Sequence, residues 1–225
     1  MGKEPSTVGI IVEKLNNKAC LKQEIYKKTQ DLFLNIRSIA RTIVDDVLND
    51  KNLEKASIPI EIIEIDEFEF QVKMGGDLIV FILQTNVVAF PKDHQIYKQK
   101  YIKKDKNRAY FGQIMIYNYV ADSIKYNRIS DTGYLIERLF LNNDHKFYVE
   151  GISNLNYVHL NVEKNNLNES ILKSLITDAI VLSLDTDLVT TSFEKNFLLT
   201  LEQKSKNRAA QSSKKVGFQM NNYRD

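Results

Sequence analysis

The sequence predicts an α+β fold in which a long N-terminal helix and C-terminal helices cover an antiparallel sheet of five to seven strands. Three observations predict it. A helical apolar period runs from Ser6 to about Asp50, and two-residue alternations separated by turn signals fill residues 57–163. From Asn168 the helical period returns, with no strand–helix–strand alternation between.

In the first element Val8, Ile11, Leu15, Ile25, Leu32, Ile36, Ile39 and Ile43 follow three- and four-residue steps, interrupted at Lys18, Lys22 and Thr29. Its stronger half, from Ile25 to Leu48, puts Leu32, Phe33, Ile36, Ile39, Ala40, Ile43, Val44, Val47 and Leu48 on one wide apolar face. Arg41 and Asp45 are spaced to pair across one turn. The helix is long for a globular domain, so it is also a candidate for pairing with a second copy.

Ile58, Ile60 and Ile62 then alternate with polar residues, and Phe68, Phe70 and Val72 alternate again after phase slips near Ile62-Ile63 and Asp66-Glu67. Such slips predict a bulge or bend within a strand. Met74-Gly75-Gly76-Asp77 reads as a tight turn. Leu78 to Leu83 is apolar on both faces and suits a central, doubly covered strand. A short strand is expected over Val87–Phe90, another over Phe111–Val120, and a hairpin from Tyr134–Leu141 and Lys146–Glu150 around Asn142-Asn143-Asp144-His145. Val158, Leu160 and Val162 predict one more strand.

Asn168 is a candidate N-cap for a helix whose core face is Ile171, Leu172, Leu175, Ile176, Ala179 and Ile180, and Phe193, Phe197, Leu198 and Leu201 belong to a last helical stretch. Residues 1–204 therefore read as one domain: helix 6–50, sheet 57–163 and helices 168–204. Residues 205–225 read as a flexible basic tail.

A chain of 225 residues that is 43% hydrophobic can bury a core without staples. Cys20 is the single cysteine, which excludes an intrachain disulfide and a cysteine-cluster zinc site. No apolar run reaches a membrane span or a signal peptide's core, so a cytoplasmic protein without a membrane partner is expected. The net charge of +2 is unevenly spread. Residues 91–108 hold seven Lys/Arg against two acids, and residues 203–225 hold six against one, so each is +5 and the remainder is −8.

Phosphate-binding loops, zinc-protease motifs and nucleophile elbows are absent, and His94, His145 and His159 lack ligand spacing, so no metal or cofactor is predicted. Two patterns remain. Tyr97-Lys98-Gln99-Lys100-Tyr101-Ile102-Lys103-Lys104, extended by Lys106, Arg108, Tyr110 and Phe111, interleaves phosphate-neutralising lysines with rings able to stack on bases. The acids Glu61, Glu64, Asp66, Glu67 and Glu69 precede Gln71-Val72-Lys73, which resembles the triplet of metal-dependent PD-(D/E)xK nucleases. That resemblance implies Asp66 and Gln71 as Mg²⁺ ligands and Lys73 as the group steadying water or phosphate. Arg138 and His145 also meet the arginine–histidine spacing of HEPN ribonucleases.

The first expectation is a non-catalytic module for nucleic acid or another polyanion, using Tyr97, Lys98, Lys100, Tyr101, Lys103, Lys104, Lys106 and Arg108. The alternatives are a Mg²⁺-dependent nuclease using Asp66, Gln71 and Lys73, and a subunit self-associating through its long helix.

Overall fold

The computed structural model describes residues 6–53, 58–152, 161–189, 200–201 and 217–218. Consecutive helical segments open the chain: α1 (Thr7–Lys14), a π-helical turn (Leu15–Ala19) and α2 (Cys20–Asn49). Six strands follow, β1 (Ile60–Glu64), β2 (Glu69–Met74), β3 (Asp77–Val88), β4 (Phe111–Val120), β5 (Tyr134–Leu141) and β6 (Phe147–Gly151). They pair in sequence order as an antiparallel meander. Short helices α3 (Lys100–Lys104) and α4 (Ala121–Lys125) flank β4, and α5 (Glu169–Leu184) packs beside α2. The layout is the α+β arrangement expected from the periodicity. No described helix is long and apolar enough to cross a membrane.

The core lies between the helices and one sheet face. Phe33 and Ile36 of α2 meet Phe70 of β2, Phe81 of β3 and Ile114 of β4, while Leu175 and Ile176 of α5 close the other side. Phe70 stacks on its cross-strand partner Phe81 at 4.5 Å, and Phe33 tilts against Phe70 at 5.4 Å. Such ring pairs add about 0.5–1.5 kcal/mol beyond the area they bury. Leu78 and Val80 are buried on the opposite face, so β3 is covered on both sides as its apolar run predicts.

Four details of α2 and the first three strands differ from the sequence reading. The slips near Ile63 and Asp66 are a hairpin between β1 and β2, because Asp66 Oδ1 accepts from the amides of Phe68 and Glu69, both at 2.8 Å, and turns the chain back. The strand expected over Val87–Phe90 is the end of β3 as far as Val88, reached through a bulge where four steps of β3 match two of β4. Thr29 belongs to the core: its hydroxyl donates to the Ile25 carbonyl at 2.8 Å, hiding its polarity inside the helix. Arg41 pairs with Glu64 across the β1 edge, as does Arg37 at 3.1 Å, instead of with Asp45.

The turn after Met74 is a two-residue hairpin with Gly75 at φ +65°, the conformation glycine permits most easily. Val162 begins a 3₁₀ turn, with its amide bonded to Gln99 Oε1 at 3.0 Å, while Val158 and Leu160 lie outside the described residues. So does most of the predicted last helix and of the basic tail, of which Gly217-Phe218 (β8) pair with Leu188-Val189 (β7).

α2 comes close to the sheet at Gly112, where an added Cβ would lie 1.9 Å from Thr29 Oγ1 and 2.8 Å from its Cβ. Gly112→Ala is expected to cost about 1–3 kcal/mol through overpacking, whereas a Cβ at Gly76 meets nothing within 4 Å. Urea denaturation of the two alanine variants checks this: equal midpoints would refute the contact.

Candidate nucleic-acid interface

The lysine-rich connection between β3 and β4 is a folded layer laid on the outer sheet face. His94 caps a 3₁₀ turn (Gln95–Lys98), accepting from the Ile96 amide at Nδ1; α3 follows. Asp105 then caps a second 3₁₀ turn (Lys106–Ala109), accepting from Asn107 at 2.9 Å. Each turn sends apolar residues inward, and Ile96, Ile102 and Ala109 join Phe111, Phe140, Tyr148 and Val162 in a second core. Phe90 locks the start of the layer by packing against Phe111, Phe140 and Tyr148.

This amphipathic arrangement divides the predicted site residues into two sets. Lys98, Lys100, Lys103, Lys104 and Lys106 are exposed, and none forms an ion pair with a described residue. Tyr97, Tyr101 and Arg108 turn toward the protein. Tyr97 donates its hydroxyl to the Phe90 carbonyl at 2.8 Å. Tyr101, only 6% exposed, donates to Asp144 Oδ2 at 2.6 Å and accepts from Asn142 Nδ2 at 3.0 Å. The Arg108 guanidinium lies 4.4 Å over the Tyr101 ring, with Nε 3.0 Å from the same Asp144 oxygen. Tyr101 therefore offers no face to a base, and its ring and hydroxyl anchor the layer to the β5–β6 hairpin.

Burial, followed by the hydrogen bond to Asp144, pushes the Tyr101 phenol up to about 12. The same hairpin is gripped from the helix side, where Lys28 Nζ donates to the Asn143 carbonyl at 2.6 Å and to Oδ1 at 2.9 Å.

Two groupings escaped the sequence reading. The ammoniums of Lys18 and Lys22 lie 5.4 and 5.5 Å from the centroid of the half-buried Tyr110 ring, at the end of the lysine layer. Lys18 and Lys22 read as breaks in the apolar stripe; their four-residue spacing was the available signal. The second grouping is His94, Glu150 and Arg138. His94 Nε2 sits 3.3 Å from Glu150 Oε1, Arg138 is bonded to the other carboxylate oxygen, and the His94 ring stacks on Phe90 at 4.3 Å. Both His94 nitrogens and the carboxylate are occupied by these contacts. No local pattern signals a set spread over 56 residues.

The nuclease arrangement does not assemble. Asp66 sits at the tip of the β1–β2 hairpin with Oδ1 holding two backbone amides. Lys73 lies four residues beyond Glu69 on β2, about 13 Å along the strand, and is ion-paired with Glu61 at 3.1 Å. Gln71 donates to Glu69 at 2.6 Å. No group of three His, Cys, Asp or Glu able to hold a metal occurs among the described residues. The Arg138–His145 pair is likewise separated: Arg138 engages Glu150 within β5–β6, while His145 closes the hairpin at φ +56°.

Because the folded Tyr101 phenol titrates above its unfolded value, the stability it confers is complete below pH 10 and is lost as pH rises toward 12. Tyr101→Phe is expected to be less stable than wild type at pH 8, with the difference shrinking between pH 10 and 12. Denaturation midpoints measured across that range check this, and a constant difference would refute it. Comparisons with protein-family models, curated proteins and solved structures return no match to this chain.

Proposed function

We propose that the chain is a non-catalytic module that binds a polyanion, nucleic acid foremost, through the exposed lysines of the β3–β4 layer. The observation that carries this reading is the set of five ammoniums, Lys98, Lys100, Lys103, Lys104 and Lys106, held on a folded segment without ion-pair partners among the described residues. Glu64 and Glu61 of β1 are engaged elsewhere, with Arg37 and Arg41 and with Lys73. Unpaired surface lysines gain little from one another, and an incoming row of phosphates gains from all of them by releasing counterions. Since Tyr97 and Tyr101 face inward, contacts made by this layer are to phosphates and carry little base information.

Fluorescence anisotropy with a labelled 20-nucleotide single strand tests the reading. The five phosphate contacts of this layer contribute about −3.5 to the slope of log affinity against log salt, or roughly a hundredfold loss between 50 and 200 mM. Reversing Lys98, Lys100, Lys103 and Lys104 to glutamate is expected to abolish this binding while leaving the melting curve in place. Unchanged affinity would sink the proposal.

A second reading, self-association, is favoured by one observation. Val8, Ile11, Val12 and Leu15 of the opening helical segment are between 47% and 68% exposed. If these residues meet a second copy, sedimentation analysis shows a concentration-dependent rise in mass that Ile11→Asp with Leu15→Asp removes. A monomer at every concentration refutes it.

A further inference from the structure

We infer that Tyr110, Lys18 and Lys22 form the second half of a two-part site for single-stranded nucleic acid, with a base stacked on the phenol ring and phosphates held by the two lysines. This rests on the polyanion reading and adds a chemical class to it. Two ammoniums from one helix converge on a single ring, at 5.4 and 5.5 Å. Neither lysine forms an ion pair with a described residue. Like charges four apart on a helix repel, so the free protein holds a pair of cations that an anion would relieve.

Among the tyrosines of the lysine layer, Tyr110 differs from Tyr97 and Tyr101. Its hydroxyl bonds no described residue and its ring is half-buried, with cations as its ring partners among the described residues. A ring face that attracts ammonium also accepts a nucleobase, and lysine stems are flexible enough for the ammoniums to move from ring to phosphate when a base arrives. Tyr110 is the C-cap of the Lys106–Ala109 turn and leads into β4, so the chain passes from the end of the lysine layer straight to the ring that the helix lysines face. A base paired within a duplex cannot reach a protein ring, whereas an unpaired one can. The site therefore takes single strands in preference to duplex.

Anisotropy titrations with a 20-nucleotide single strand and the same sequence as duplex separate these contributions. Tyr110→Ala is expected to weaken single-strand binding roughly ten- to a hundredfold and to leave duplex binding nearly unchanged, while Tyr110→Phe stays close to wild type. Reversing Lys18 and Lys22 to glutamate is expected to weaken both ligands and to lower the single-strand salt slope by about 1.4. The chain has no tryptophan, so Tyr110→Trp supplies a single reporter whose fluorescence a stacked base quenches. Wild-type affinity in Tyr110→Ala, an equal loss on both ligands, or duplex bound as tightly as single strand would each overturn the inference. If the four-lysine reversal in the β3–β4 layer abolishes binding while the Tyr110 and Lys18/Lys22 variants do not, the polyanion reading stands and this site falls. No binding by the wild-type chain removes both.

Discussion

The contact between Thr29 and Gly112 constrains how α2 crosses the sheet. A threonine can enter this apolar interface only because its hydroxyl is satisfied by its own helix, at the Ile25 carbonyl. A strand can come this near only because Gly112 has no side chain. The crossing fixed there has consequences in both directions along α2. Toward the C-terminus it delivers Phe33 onto Phe70 and Arg37 over both rings, at 5.2 and 5.4 Å. Toward the N-terminus, two helical turns away, it brings Lys22 to Tyr110, which is two residues before Gly112 on the sheet side. The apolar core and the basic surface are thus aligned by one steric constraint.

Charge is segregated in a way that composition alone does not reveal. At the β1–β2 end carboxylates are consumed locally: Glu64 by Arg37 and Arg41, Glu61 by Lys73, Asp66 by backbone amides. On the β3–β4 layer Asp105 is committed to a cap, and Asp144 beside it to Tyr101 with Arg108. Exposed pairs of this kind add little stability. Their effect on the surface field is larger, because the acids are muted and the lysines are left to act outward.

The sheet and main helices were legible because burial imposes the periods of 3.6 and 2 that the residues display. Leu78 to Leu83 announced the doubly covered strand β3, and Asn168 announced α5, whose first turn it caps at the Ile171 amide. Legibility failed where a polar side chain did backbone work. Asp66 made a hairpin where the pattern suggested a bend, and Thr29 looked like an interruption because its bond to Ile25 is invisible in the pattern. The site was half legible. The lysines of 98–106 were readable as exposed charge, but the inward turn of Tyr97 and Tyr101 depends on Phe90, Asn142 and Asp144, partners as many as 43 residues away. Lys18 and Lys22 could be assigned to Tyr110 only once the helix crossing was known.

The π-helical turn at Leu15–Ala19 has a separate consequence for how the chain tolerates change. A π turn holds one residue more than an α-helical turn, and one residue corresponds to about 100° of rotation around the axis. The apolar stripe of α1 is therefore out of phase with the stripe that α2 lays on the sheet, and no residue of α1 is buried. The turn acts as a clutch between two consecutive helices that differ in facing. Substitutions in α1 can alter what its stripe presents to the outside without disturbing Ile25, Phe33 or Ile36, whereas a single-residue deletion within the turn would re-engage the two phases and swing Val8 and Val12 toward a new side.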